Sequence, residues 1–245
     1  MTRDEIFEKT IELHKRLPEI RIASSLSLID ILYVLYYKVL KIVPFDEKRD
    51  RVIFSKGHGA IGVYPILADL GFFDEKELDK IGENFLTSIP DPNIKGIETI
   101  NGSLGHGLGV GIGMAIALKT KKVTSKVFVI CGDGELYEGS MWEAIMFAPT
   151  KKLDNLVLIV DYNKTAMLDR IKNIIDLEPL KDKFISFNWE VFEVDGHNID
   201  ELEKIFKSLD FTNKKPKVII ANTIKGKGIE FLENSPLSHI LSLKD

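Results

Sequence analysis

The chain has 245 residues, 44% of them hydrophobic, so it can bury a full core as one large domain or two small ones. A net charge of −4 and an isoelectric point near 5.8 leave no basic footprint, which argues against nucleic acid as a partner. The one cysteine, Cys131, excludes an internal disulfide and a CxxC metal site, and its place in an apolar run predicts a buried, inert thiol.

In chain order, Thr2 with Glu5 predicts a capping box, after which Ile6, Thr10, Leu13 and Leu17 recur at helical spacing until Pro18 closes the helix. The opening MTRDEIFEKT is charged from its third residue, unlike a secretory signal. The most apolar window, SLSLIDILYVLYYKVLKIV, carries Asp30 and Lys38, so it reads as a buried helix starting at Ser27 and Asp30 and not as a membrane span. A cytoplasmic location and no membrane contact are the expectation. RVIFS (51–55) predicts a short strand leading into KGHGAIGVYPILADLG, and Asp74 with Glu77 predicts another capped helix, ended by Gly82. Residues 84–102, with prolines 90 and 92 and glycines 96 and 102, predict a surface loop; loops of this length are usually functional or mobile.

SLGHGLGVGIGMAIALK (103–119) holds glycines at 105, 107, 109, 111 and 113, each costing a helix about 0.8–1 kcal/mol. A helix that keeps them needs something close to its backbone, either another helix or a phosphate near its start. Beyond it, strands at 126–131, 155–161, 189–196 and 217–222 alternate with helices near 139–148, 179–187 and 198–209. Short apolar runs separated by helices predict an α/β fold, a doubly wound parallel sheet with helices on both faces. Connections in such a sheet are right-handed, and ligands sit at the carboxyl ends of the strands. No repeat or low-complexity linker divides the sequence, so a single domain over 1–245 is expected.

Two of those strand ends carry chemistry. Gly132-Asp133-Gly134 ends one apolar run, and Asp161-Tyr162-Asn163 ends the next, thirty positions on. A carboxylate and an amide carbonyl on one rim are hard oxygen donors, and flanking glycines let a bulky phosphate approach the main chain. Magnesium takes few ligands from protein and the rest from phosphate and water. Asp133 and Asn163 therefore fit the side-chain ligands of an Mg²⁺ that holds a diphosphate. An Asp-Gly turn alone is a weak signal; the order apolar run, GDG, helix, apolar run, Asn is restrictive.

In these residues the chain resembles the thiamine-diphosphate enzymes. GDGELYEGSMWEA, KLDNLVLIVDYN, SKGHGA, PDPNIKGIETINGSLGHGLGVGIGMA and TIKGKGIEFLENSP narrow the resemblance to the amino-terminal, diphosphate-binding part of transketolases, from roughly Ser24 to His239. The resemblance implies thiamine diphosphate and Mg²⁺ as cofactors, with Asp133, Asn163 and the backbone carbonyl of Thr165 on the metal. It places Gly105, His106, Gly132, Gly134 and Glu135 at the diphosphate, and His58 and His239 at its phosphate end and in the substrate channel. Glu138 and Glu143 would join an acidic network between two active sites, or else be ordinary carboxylates at a helix start.

The pattern also breaks. Arg21, in IRIAS, stands where the family carries a substrate-contacting histidine, and Ile89, in SIPDP, stands where a second histidine is usual. His106 replaces a glutamine. Histidine exchanges protons and hydrogen-bonds in either direction, whereas arginine only donates and prefers an anion. Arg21, His58 and His239 are thus the expected catalytic side chains, in a pocket tilted toward a modified or anionic sugar. The family's glutamate against the cofactor's pyrimidine ring comes from a pyrimidine-binding domain that this sequence does not contain. A partner chain carrying that domain is expected, in a heterotetramer of two copies of each, active only together. The implied reaction moves a two-carbon ketol unit from a ketose to an aldose. Alternatives are a 2-oxo-acid decarboxylase or carboligase subunit, and a non-catalytic cofactor-binding subunit. A nicotinamide-binding fold is a weaker alternative still.

Overall fold

The computed structural model describes residues 1–245 except 18–20, 84, 85, 168, 234, 242, 244 and 245. Its centre is a five-stranded, wholly parallel sheet of β1 (Arg51–Phe54), β2 (Val127–Gly132), β3 (Leu156–Tyr162), β4 (Glu190–Asp195) and β5 (Lys217–Asn222), in the order β1-β2-β3-β5-β4. Because side chains alternate across a strand, the near-continuous apolar runs feed two cores. Phe54, Phe128, Ile130, Ile159 and Ile219 face one side, and Ile53, Val129, Cys131, Leu158 and Ile220 the other.

The first core is covered by α1 (Arg3–Arg16), α2 (Ile22–Leu26), α3 (Ile29–Val34), α4 (Tyr64–Asp69) and α9 (Ile199–Ser208). The second is covered by α5 (Gly107–Thr120), α6 (Gly139–Thr150) and α8 (Leu180–Ser186), with the single turn α7 (Ile171–Ile174) beside them. No described helix is long and apolar enough to cross a membrane, and Cys131 is fully buried, with burial raising its thiol well above the ordinary range.

The capping box forms as expected: Thr2 accepts from the Glu5 amide while Glu5 accepts from the Thr2 amide. Pro18, expected to close α1, lies outside the described residues. Three expectations need correction. The apolar helix does not start at Ser27 but at Ile22; it breaks at Ser27–Leu28, where Ser27 Oγ donates to Asp161, and resumes as α3 with a π-helical turn over Leu35–Val39. Asp74 caps only a 3-10 turn, Glu75–Lys80, through the amide of Lys76, and Glu77 does not complete a box at the cap. Two glycines of α5, Gly107 and Gly111, answer to the sheet, a neighbour the sequence did not suggest. A Cβ on Gly107 would come within 2.4 Å of the Ser55 Cβ, and one on Gly111 within 2.5 Å of Val129, so it is β1 and β2 that press against the helix.

Gly109 and Gly113 meet nothing within 4 Å. This split gives a prediction. Gly111→Ala should destabilise the chain by about 1–3 kcal/mol through overpacking, although alanine is the better helix former. Gly113→Ala should stabilise it by about 0.5–1 kcal/mol. Urea unfolding midpoints of the two variants, moving in opposite directions, check this.

Candidate active site

A cavity of about 430 Å³ opens at the carboxyl ends of β2 and β3, lined by Lys56, His58, Asp133, Asn163, Thr165 and Lys225 among others. The register explains the convergence. Gly132 pairs with Asp161 across β2 and β3, so both chains leave the sheet at the same height. Asp133 opens a 3-10 turn (Asp133–Tyr137) and is nearly fully buried, accepting from its neighbour's amide, Gly134 N, at 2.8 Å and from Lys164 N at 2.5 Å. Burial, and then the nearby Asp161 carboxylate, push Asp133 up to about 7. A carboxylate so placed fits a cation beside it.

Beneath the cavity lies a buried ion pair between Lys56 and Asp161. Burial alone would raise the Asp161 carboxyl, but Lys56 Nζ and the hydroxyls of Thr223 and Ser27, all donating to it, hold it below the usual carboxylate range. Asn163 Nδ2 also donates to Asp161, at 3.3 Å, and Asn163 Oδ1 accepts from Thr165 N at 3.1 Å. With its NH₂ tied to Asp161, the amide can offer only its oxygen to a ligand. The Thr165 carbonyl accepts from Lys225 Nζ at 2.9 Å. Asp133, Asn163 and Thr165 thus supply a carboxylate, an amide oxygen and a main-chain carbonyl to one cavity, a hard-oxygen set that suits Mg²⁺. No three His, Cys, Asp or Glu side chains cluster into a metal site among the described residues, so any metal here needs further oxygens from its ligand.

The opposite wall is cationic and imidazole-rich. His58 and His239 meet edge to face with ring centroids 5.6 Å apart. Burial lowers both: His58 falls below its usual value, and His239, further opposed by Lys225 and Arg21, falls to about 3. Both rings are therefore neutral at pH 7. Lys225 is lowered to about 8, by burial and then by Lys56. His239 Nδ1 and Arg21 Nη1 are buried without a hydrogen-bond partner among the described residues. Arg21 stands beside this wall, close enough to disfavour protonation of both histidines, and is the cap residue of α2. Ile89 is 36% exposed and packs on Gly102, itself part of the cavity lining.

Gly132 and Gly134 both line the cavity, and a Cβ on Gly134 would meet only ordinary contacts, Ala166 at 3.8 Å, leaving its cavity side free. Glu135 lines it too, 2% exposed, with Oε1 accepting from Gly105 N at 2.9 Å and from the Ser55 hydroxyl. Gly105 and His106, expected at the diphosphate, are not in this cavity's lining. The positive φ of Gly105 (85°) turns the chain toward Ser140 and Glu138, and Gly105 and His106 line a groove between α5 and α6 together with Ser140 and Glu143. Glu138 borders the cavity and caps α6. Sequence reasoning assigned no role to Lys56, Lys225, Asp161 and Ser55. The first two stand within motifs already noted, SKGHGA and TIKGKG, where glycine beside lysine in a loop after a strand was the available signal.

The family described as transketolase, thiamine diphosphate binding domain, matches residues 22–245. One of the named subunits of the apulose-4-phosphate transketolase of Phocaeicola vulgatus is 38% identical over 242 residues, an alignment covering 92% of this chain and 86% of that protein. The 6-deoxy-6-sulfo-D-fructose transketolase subunit SqwG of a Clostridium species is 38% identical over 230 residues, 91% of this chain and 84% of that one. Human transketolase is 37% identical across 88% of this chain, which spans only 35% of its length. Among solved structures, the transketolase of Campylobacter jejuni superposes with a TM-score of 0.79 at 28% identity, covering 96% of this chain and 40% of that one.

Proposed function

The chain belongs to the transketolase family, through its thiamine diphosphate-binding domain, and on that premise we propose that it is the diphosphate-binding subunit of a two-chain, Mg²⁺-dependent enzyme moving a two-carbon ketol unit from a ketose to an aldose. The observation that carries this reading is the meeting of Asp133, Asn163, the Thr165 carbonyl and Lys225 in one cavity at adjacent strand ends. Bound thiamine diphosphate would supply an electron sink for the breaking ketose bond. Asp133, Asn163 and Thr165 would hold the metal, and Lys225 would offset phosphate charge. His58 and His239, held neutral, can each donate or accept a hydrogen bond at a sugar hydroxyl. The whole of 1–245 serves as this one domain, and the cytoplasmic location expected from the sequence belongs to the same proposal.

The partner is a pyrimidine-binding-domain subunit, two copies of each chain forming a heterotetramer. Relatives of matching length are named as subunits, and full-length transketolases are nearly three times as long as the matched stretch. Around the cavity Leu104, Met167 and Ile174 are 41%, 51% and 48% exposed, an apolar rim suited to cover by another chain. A transfer assay on the co-expressed pair tests the reaction: ketose shortened by two carbons and aldose lengthened by two are expected. Decarboxylation of 2-oxo acids without ketol transfer would overturn it.

Substrate choice follows from Arg21 and Ile89. The unpartnered guanidinium nitrogen beside two neutral imidazoles suits an anionic or otherwise modified sugar. A charge-assisted hydrogen bond there is worth about 1.5–3 kcal/mol, while loss of a proton-exchanging group costs on the order of 10²–10⁴ in rate on substrates that need one. Wild type should therefore be slow on xylulose 5-phosphate with ribose 5-phosphate, and Arg21→His with Ile89→His should raise kcat/KM on that pair. Wild-type efficiency matching the double variant would contradict this reading.

A further inference from the structure

We propose that Glu135 is a positioning residue whose carboxyl clamps the Gly105 turn directly and the start of α5 through Ser55, shaping the wall against which the diphosphate lies. The inference rests on the functional reading above only for the identity of the ligand. Glu135 Oε1 takes two donors, Gly105 N at 2.9 Å and the Ser55 hydroxyl; Ser55 Oγ in turn accepts from Gly107 N at 3.0 Å. From the other side Ser140 Oγ donates to the Gly105 carbonyl at 2.9 Å. Gly105 is thus held at both its amide and its carbonyl in a conformation with φ of 85°, where a Cβ would come within 2.5 Å of Ser140 Oγ.

Two consequences follow. The amides of Gly105 and Gly107 are engaged by Glu135 and Ser55, so the turn acts on a ligand through Gly102 and Leu104, which line the cavity just before it. And Glu135 sits two residues after Asp133 in the same 3-10 turn, so one carboxyl fastens the metal-side turn to the opposite loop. Only an acceptor oxygen is needed for this. A glutamine keeps such an oxygen, with two lone pairs, in nearly the same shape.

The test uses the complex with its partner chain, in wild type, Glu135→Gln, Glu135→Leu and Ser55→Ala. Amide hydrogen exchange at Gly105 and Gly107 is read without cofactor, and the thiamine diphosphate dissociation constant in Mg²⁺ is read by calorimetry. Glu135→Leu should speed Gly105 exchange about a hundredfold and weaken cofactor binding about tenfold or more, as loss of an outer-shell partner does. Glu135→Gln should rescue both readouts. Ser55→Ala should release the Gly107 amide and weaken binding in the same sense. Equal losses in Glu135→Gln and Glu135→Leu, or unchanged affinity in Glu135→Leu, would overturn the clamp. If Glu135→Leu does not fold, unchanged exchange and affinity in Ser55→Ala overturns it instead. Protected amides in a wild type that binds no thiamine diphosphate would fail the functional reading and leave the clamp standing.

Discussion

Asp133→Ala should abolish Mg²⁺-dependent thiamine diphosphate binding while leaving the protein folded, and Asn163→Ala should do the same. Asp133 is the lone acidic side chain in the proposed metal set and is nearly fully buried, where burial and Asp161 already push its carboxyl up to about 7. Removing it deletes a carboxyl whose charge burial disfavours, so stability should hold or rise. The metal loses its one charged protein ligand, and outer-shell losses alone cost metal sites about 10–100-fold, so a larger effect is expected here. Asn163 acts differently. Its NH₂ is tied to Asp161, which fixes the amide oxygen for a ligand. Calorimetric titration with cofactor and Mg²⁺ reads both variants, and unchanged affinity in either would remove that residue from the site.

The largest stability loss is expected from Lys56→Met. It leaves Asp161, at 0% exposure, without its cation, and breaking a buried pair from one side costs about 3–5 kcal/mol. In wild type the Asp161 carboxyl is held below its usual range, so its contribution is present above the unfolded value and is lost as pH falls through the folded one. In the variant, burial acts unopposed by Lys56 and favours the protonated acid. The stability gap between wild type and Lys56→Met should therefore shrink as pH falls toward the ordinary carboxylate range. Adding Asp161→Asn to Lys56→Met should recover much of the loss. Urea midpoints at neutral and mildly acidic pH measure this, and a gap independent of pH would contradict it.

The sheet was legible because its inner strands are buried on both faces: LVLIVD and KVIIAN read as strands with no help from neighbours, and β4, an edge strand that is only partly buried, still showed between its turn residues. The rim positions of Asp133 and Asn163 were legible for the same reason, since a polar residue ending such a run stands at the strand end. What was hidden depends on contacts far apart in sequence. Ser27 looked like a helix start, yet its hydroxyl reaches Asp161, 134 positions away, and the helix breaks to let it. GSLGHG reads as a phosphate turn, but the pattern cannot report that Glu135 and Ser140 hold Gly105 from both sides. Alternating glycines in α5 gave no sign of which would face β1 and β2 and which would face outward, since both sets share one spacing.

The most direct test of the account is ketol transfer measured for this chain alone, for its partner alone, and for the two mixed, each with thiamine diphosphate and Mg²⁺. Turnover is predicted only in the mixture, with activity saturating at equal amounts of the two chains. Robust transfer by this chain alone, or a mixture that binds the cofactor and transfers nothing, would contradict the claim that it is the diphosphate-holding half of a two-chain enzyme.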